Sequence, residues 1–113
     1  MEIVRENIPL DTVKKMANKS FGDLVKAVVD VERRVIAIDG ELHSDLEALL
    51  LSDGSQQKDL WGVNIYPYVE GEGFIDFDSL INIRPSQGNR SYRVEDELVR
   101  KKIIAIVKEK IIP

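Results

Sequence analysis

Between Asn82 and Ser91 the chain reads NIRPSQGNRS, and the eight residues from Arg84 onward carry no aliphatic or aromatic side chain. Arg84 and Arg90 each offer a planar guanidinium that matches a carboxylate or phosphate in a bidentate fork. Asn82 and Asn89 would orient such a ligand, and Ser86, Gln87 and Ser91 would add hydrogen bonds. Gly88 is free to take a positive φ, so the loop is able to turn backbone N–H groups toward an anion ahead of a helix. The same composition also suits a loop that bonds internally and holds the last helix against a sheet, and the residue types leave both readings open.

A second group of polar residues precedes the loop. Asn64 and Tyr66 alternate with Trp61, Val63 and Ile65, and Asp76, Asp78, Asn82 and Arg84 alternate with Ile75, Phe77, Ile81 and Ile83. If both runs are strands of one hairpin, period-two alternation puts all six polar residues on one sheet face. That face, with the loop at its edge, is the candidate binding surface. An alternative is a small hydrolase or transferase in which Asp76 or Asp78 acts as base, Arg84 or Arg90 supplies oxyanion charge and His43, the only histidine, acts as acid. His43 stands between Glu41 and Asp45, but this is no established metal-ligand spacing and a single histidine makes a poor zinc site. No metal or cofactor is expected. Ser86 and Ser91 lack a nucleophile-elbow context, and no Walker or dinucleotide fingerprint occurs. Trp61 belongs with Val63 and Ile65 in the core, and too few basic residues surround Tyr66 for a base-stacking platform.

The elements that must position these groups follow from periodicity. Glu2–Arg5 reads as a short strand. Pro9 suits a helix start, after which Val13, Met16, Ala17 and Phe21 form an apolar stripe that Gly22 ends. LVKAVVDV, Leu24–Val31, reads as a half-buried strand with Val25, Ala27, Val29 and Val31 inward and Lys26 and Asp30 outward; VIAI, Val35–Ile38, is its hairpin partner. Ser44 and Glu47 have capping-box spacing for a second helix carrying Leu46, Leu49 and Leu50, closed by Asp53-Gly54. Glu95, Asp96 and Glu97 against Lys108 and Lys110 complement the dipole of a final helix. Its apolar residues exceed one stripe: Val99, Ile103, Ile104, Ile106, Val107 and Ile111 gather on one side, and Val94, Leu98, Ala105 and Ile112 on the other. This surplus implies either deep burial or a homodimer contact through the C-terminal helix.

These elements predict a single α+β domain over residues 1–113, with a mostly antiparallel sheet of four or five strands and about three helices packed on one face. A chain of 113 residues with 43% hydrophobic and 32% charged residues has room for one core. No cysteine is present, which excludes disulfides and thiolate chemistry. The net charge of −4 argues against nucleic acid as a partner. MEIVRENIPL has no signal-peptide pattern and no apolar run reaches membrane-spanning length, so a cytoplasmic location is expected.

Three blocks carry a family resemblance: FGDLVKAVVDVE, EALLLSDGSQQKDLWGVNIYP (Glu47–Pro67) and INIRPSQGNRSYRVED (Ile81–Asp96). Their most distinctive parts are LWG, NIYP and RPSQGNRS. Over nearly its full length the chain resembles a family of small prokaryotic proteins of unknown function. That resemblance implies an N-cap role for Asp96, with Ser86–Val94 as loop, and no activity or substrate. The functional expectation is therefore a non-enzymatic binding module for a small anion, peptide or protein.

Overall fold

The computed structural model describes residues 1–113. Seven strands and three α-helices form: β1 (Glu2–Val4), β2 (Ile8–Pro9), α1 (Leu10–Lys19), β3 (Val25–Asp30), β4 (Val35–Ile38), α2 (His43–Ser52), β5 (Leu60–Ile65), β6 (Ile75–Asp76), α3 (Glu97–Lys110) and β7 (Ile111–Ile112). The class is α+β. Five strands make one antiparallel sheet in the order β1-β4-β3-β5-β6, and β2 pairs with β7 in a small parallel sheet that ties the two ends of the chain together. No helix is long and apolar enough to cross a membrane.

Register explains the layering. Ala27 is opposite Ile38 and Val63, and Val29 is opposite Ile36 and Trp61. These residues share one face and pack with Val13 and Ala17 of α1 and Ile103, Ile106 and Val107 of α3. Val28, Val35, Ala37 and Leu60 have the opposite parity and pack with Leu46 and Leu50 of α2. The sheet is therefore covered on both faces, which corrects the expectation of all helices on one side. The alternation in β3 concealed this because valine stands at both parities. Asp30, expected to point outward, is wholly buried. Its Oδ1 accepts the N–H groups of Glu32 and Arg33 at 2.9 and 2.8 Å, and its Oδ2 accepts the Ser55 hydroxyl at 2.6 Å. The carboxylate thus shapes the β3–β4 turn, where Arg34 adopts φ 58°.

The helix ends differ in how their free N–H groups are met. Asp96 caps α3 by accepting from Leu98 N and Val99 N, as the resemblance implied. The Ser44–Glu47 capping box does not form: α2 starts at His43 behind Leu42, with no side-chain cap. Glu47 is instead drawn toward Arg84, 3.9 Å away. In α1, Val13 and Ala17 are buried but Phe21, beyond the helix end, is exposed. Of the second apolar group expected on the last helix, Val94 precedes α3 and is fully buried, Leu98 is 69% exposed, Ala105 faces solvent, and Ile112, in β7, is also exposed.

The largest departure lies after β6. The anticipated strand through Arg84 stops at Asp76, and Leu80–Asn82 and Pro85–Gln87 wind into 3-10 turns. Ile83 is 44% exposed rather than in the core. This segment crosses β5 at Gly62, where an added Cβ would lie 2.5 Å from Ser79 Cβ. Only glycine allows that approach. Gly62→Ala is expected to lower unfolding free energy by about 2 to 3 kcal/mol through overpacking, measured by chemical denaturation. An unchanged midpoint would show that the crossing segment moves aside freely.

Candidate functional site

The backbone groups of β5 explain the polar loop. Tyr66 N donates to Phe74 O at 2.9 Å, and Asn64 is paired with Asp76, so the even-numbered residues of β5 direct their peptide groups toward β6. Strand β6 is only two residues long, and leaves the peptide groups of Gly62 and Leu60 without a strand to meet them. Side chains meet them instead. Asn82 Oδ1 accepts Gly62 N–H at 2.8 Å, and Asn82 Nδ2 donates to Gly62 O at 3.0 Å, reproducing the two-bond exchange of an antiparallel pair. Arg84 Nη2 donates to Leu60 O.

Arg84 is 8% exposed and directs its remaining donors inward as well. Nε bonds Ile81 O at 3.1 Å and Nη1 bonds Gln57 O at 2.8 Å, while the guanidinium lies over the Trp61 ring, 4.7 Å from its centroid. Burial pushes its pKa down and the Glu47 carboxylate opposes that, but an arginine stays charged throughout the working range. Asn89, also buried, donates to the carbonyls of Asn82, Ser91 and Arg93 and accepts Glu95 N–H at 2.9 Å. Glu95 in turn accepts the N–H groups of Arg90 and Ser91 at 2.9 and 2.7 Å, which holds its carboxyl below the usual range. Gln87 donates to Lys58 O at 3.0 Å, Ser91 Oγ to Arg93 O at 3.3 Å, and Gly88 takes φ 82°. Ser86 and the Arg90 side chain remain at the exposed surface.

The proposed six-residue face is accordingly split. Asn82 and Arg84 bond Gly62 and Leu60, whereas Asn64 and Asp76 pair further along β5, about 7 Å from Gly62 and about 13 Å from Leu60 at roughly 3.3 Å per residue. Arg84 thus spends its donors on the Ile81, Gln57 and Leu60 carbonyls rather than on Asp76 or Asp78, and Arg90, the other arginine expected to supply oxyanion charge, is exposed.

What does converge is a half-buried polar cluster at the Asn64 end. Lys26 of β3 lies opposite Asn64 in register. Asn64 Nδ2 donates to Asp76 Oδ2 at 2.9 Å and to Asp78 O at 3.0 Å. His43, at the start of α2, comes from the other layer: its Nε2 lies 2.8 Å from Val63 O, and Lys26, Asn64 and Asp76 are near enough to influence its titration. Since a carbonyl only accepts, Nε2 carries the proton and Nδ1 holds the lone pair of the neutral ring. Burial, opposed chiefly by the bond to Val63, lowers the His43 pKa. Burial and the neighbouring Asp76 charge raise that of Asp78, which has Arg93 at 3.5 Å but one oxygen without a hydrogen bond. Burial together with the charges of Asp76, Asp23 and Asp78 likewise raises Tyr66. No group of three or more potential metal ligands gathers around His43. Lys26, Asp23 and Arg93 were not singled out from sequence; the β3–β5 register would have exposed Lys26, and nothing in the local sequence marks the other two.

The architecture defines a class: an α+β module whose sheet edge is completed by side chains of a polar loop. The chain belongs to the family described as "Protein of unknown function (DUF5674)", whose model matches residues 2–110. No curated protein and no solved structure matches it.

Arg84→Ala would orphan three backbone carbonyls, that of Leu60 fully buried, together with the Glu47 carboxylate, so a loss of about 3 kcal/mol in unfolding free energy is expected. Arg84→Lys should recover less than half, because one ammonium cannot span those acceptors; full recovery in denaturant titrations would refute the fork's role. For His43 the folded pKa lies below the ordinary 6.5, so the unfolded chain binds more protons as pH falls. Stability should be complete above about pH 6.5 and decline as pH drops toward the folded value. Melting curves of His43→Gln that keep this slope would assign it to another group.

Proposed function

We propose that the chain is a non-catalytic binding module whose contact face is the polar end of the sheet, formed by His43, Asn64, Tyr66, Asp76 and Asp78, and that it takes a peptide or protein segment presenting a cationic side chain. The observation that carries this reading is the unbalanced charge there. Asp76 has an amide but no cation as partner, Asp78 is half-buried beside it, and the Lys26 ammonium leans over the Phe21 ring at 5.0 Å. The Asp76 charge that helps burial to raise the Asp78 pKa is relieved when a cation enters. A guanidinium suits this role, with two donors for Asp76 and a planar face for Tyr66.

The earlier alternative of a small anion held by the loop loses support from the same bonds, since Arg84, Asn82, Asn89 and Glu95 are already engaged with one another and with the backbone. Arg90 alone of the loop's charges stays available, with the Glu95 carboxylate beside it. A homodimer through α3 would have to use Leu98, Ala105 and Ile112, a sparse stripe interrupted by Lys101 and Lys102.

Titration of the isotopically labelled protein with the tripeptide Gly-Arg-Gly tests the proposal. Saturable shifts of the Asn64, Tyr66 and Asp76 amides are expected, weakened about tenfold in Asp76→Asn. Affinity should rise with pH as Asp78 ionises, later than an ordinary aspartate because its pKa is raised. Absence of shifts at those amides, or equal binding by Asp76→Asn, would remove the site.

A further inference from the structure

The opposite side of the sheet carries a second concavity. It lies between the Gly71–Phe74 turn, β6 and α3, and encloses about 700 Å³. Its wall is apolar: Phe74, Ile75 and Ile104 are only partly buried against the core, and Phe77 closes the floor. That volume lies within the roughly 300 to 1,000 Å³ of small-molecule sites, which combine an apolar lining with few polar groups. Its position is set by the fold, because Ile75 shares the α1/α3 face with its register partner Ile65.

The charges at the rim are mostly cationic. Lys108 stands one helical turn beyond Ile104 and joins no ion pair, and Arg93 reaches the groove from the segment leading into α3. Asp78 lies 3.5 Å from Arg93 Nη1 and engages only that side of the guanidinium. Arg100, one turn before Ile104, lies along the same row of the helix. Glu72 is the one carboxylate lining the groove. An apolar cleft flanked by the unpaired Lys108 and by Arg93, which Asp78 engages on one side only, is complementary to a molecule with an apolar body and an anionic head.

We propose that this groove is a binding site for a small amphipathic carboxylate, its hydrocarbon body against Phe74, Ile75 and Ile104 and its head between Arg93 and Lys108. The groove lies on the other side of the sheet from the cation-binding face and meets it at the Asp78–Arg93 ion pair, while Lys108 belongs to the groove alone. Burial of the hydrocarbon supplies affinity. The lysine and arginine set orientation and select the sign of the head group.

The test is an NMR titration of the whole chain with sodium octanoate, with octylammonium chloride as the opposite-charge control. Octanoate should shift the amides of Phe74, Ile75 and Ile104 saturably, and octylammonium should bind at least tenfold more weakly. Lys108→Glu, a change at an exposed helix position, should weaken octanoate about 5-fold, the upper end of the scale of one partly exposed charge contact. Ile104→Asp should abolish binding, with Lys108→Glu standing as the decisive variant if Ile104→Asp fails to fold. No octanoate shifts at the groove, equal affinity for the two detergents, or an unaltered octanoate affinity in Lys108→Glu would each overturn the assignment.

Discussion

An incompletely paired strand is the constraint on which this structure turns. Along β5 the peptide groups of residues 60, 62 and 64 face away from β3, and β6 supplies a backbone only for the last, with Phe74 just before it meeting Tyr66 just after β5. A buried peptide group left without a partner costs as much as a lost hydrogen bond or more. The chain completes the edge with side chains: Asn82 serves both groups of Gly62 and Arg84 serves Leu60 O. Such a substitution also shields a sheet edge from pairing with other chains. Asn and Arg suit the task differently. The carboxamide has a donor and an acceptor at the spacing of a peptide group, and the guanidinium spreads donors over several carbonyls at once.

The rest of the C-terminal half follows from holding those two side chains in place. Asn82 and Arg84 must arrive from a segment that crosses β5 closely, which demands glycine at position 62 and the tight turns seen from Leu80 to Gln87. Those turns cannot satisfy themselves by a ladder, so Asn89 ties Asn82, Ser91 and Arg93 together and Glu95 closes the next two N–H groups. Asp96 then caps α3 directly behind them. Helix α3 delivers Ile103, Ile106 and Val107 to the core and ends in β7, which pairs with β2, so the loop's hydrogen bonds fix one whole layer of the fold. At the far end Lys110, buried at the helix terminus, donates to Arg5 O at 2.8 Å and locks the same layer to β1's connection.

How much of this was legible in the sequence depended on whether the signal was periodic. Strands β3, β4 and β5 and the three helices stood out, because alternation, a three-to-four stripe and an acidic helix start are local properties, whereas the Asp96 cap was implied by the family resemblance. The two-sided burial did not, since Val25, Val28 and Val29 are equally apolar and nothing local tells which layer each meets. The run FIDFDSLINIR misled for the opposite reason. Its alternation is that of a strand, yet Phe77, Asn82 and Arg84 obtain their burial from turns in which polar side chains replace a ladder. A carboxamide and a guanidinium that bond backbone look the same in sequence as ones that wait for a ligand.

That ambiguity governs where function should be sought. Of the eleven polar residues the sequence marks as candidate contacts, the loop members most suited to bind an anion are those the fold consumes, because an unpaired sheet edge makes the same demand for donors as a carboxylate does. Groups left with unmet charge or hydrogen bonds are found elsewhere: Asp76, without a cation partner, and Asp78, with one oxygen lacking a hydrogen bond, at one end of the sheet, and Lys108 beside the groove on its other face. Neither patch is made by one element. The first joins α2, β5 and the residues around β6, and the second joins the Gly71–Phe74 turn to α3. Both depend on the segment from Asp78 to Arg93, whose Asp78–Arg93 bridge stands between them. The loop therefore acts on both patches indirectly: by finishing the edge of β5 it positions the carboxylates on one face and the arginine on the other, and the residues that do the finishing have already bonded the chain itself.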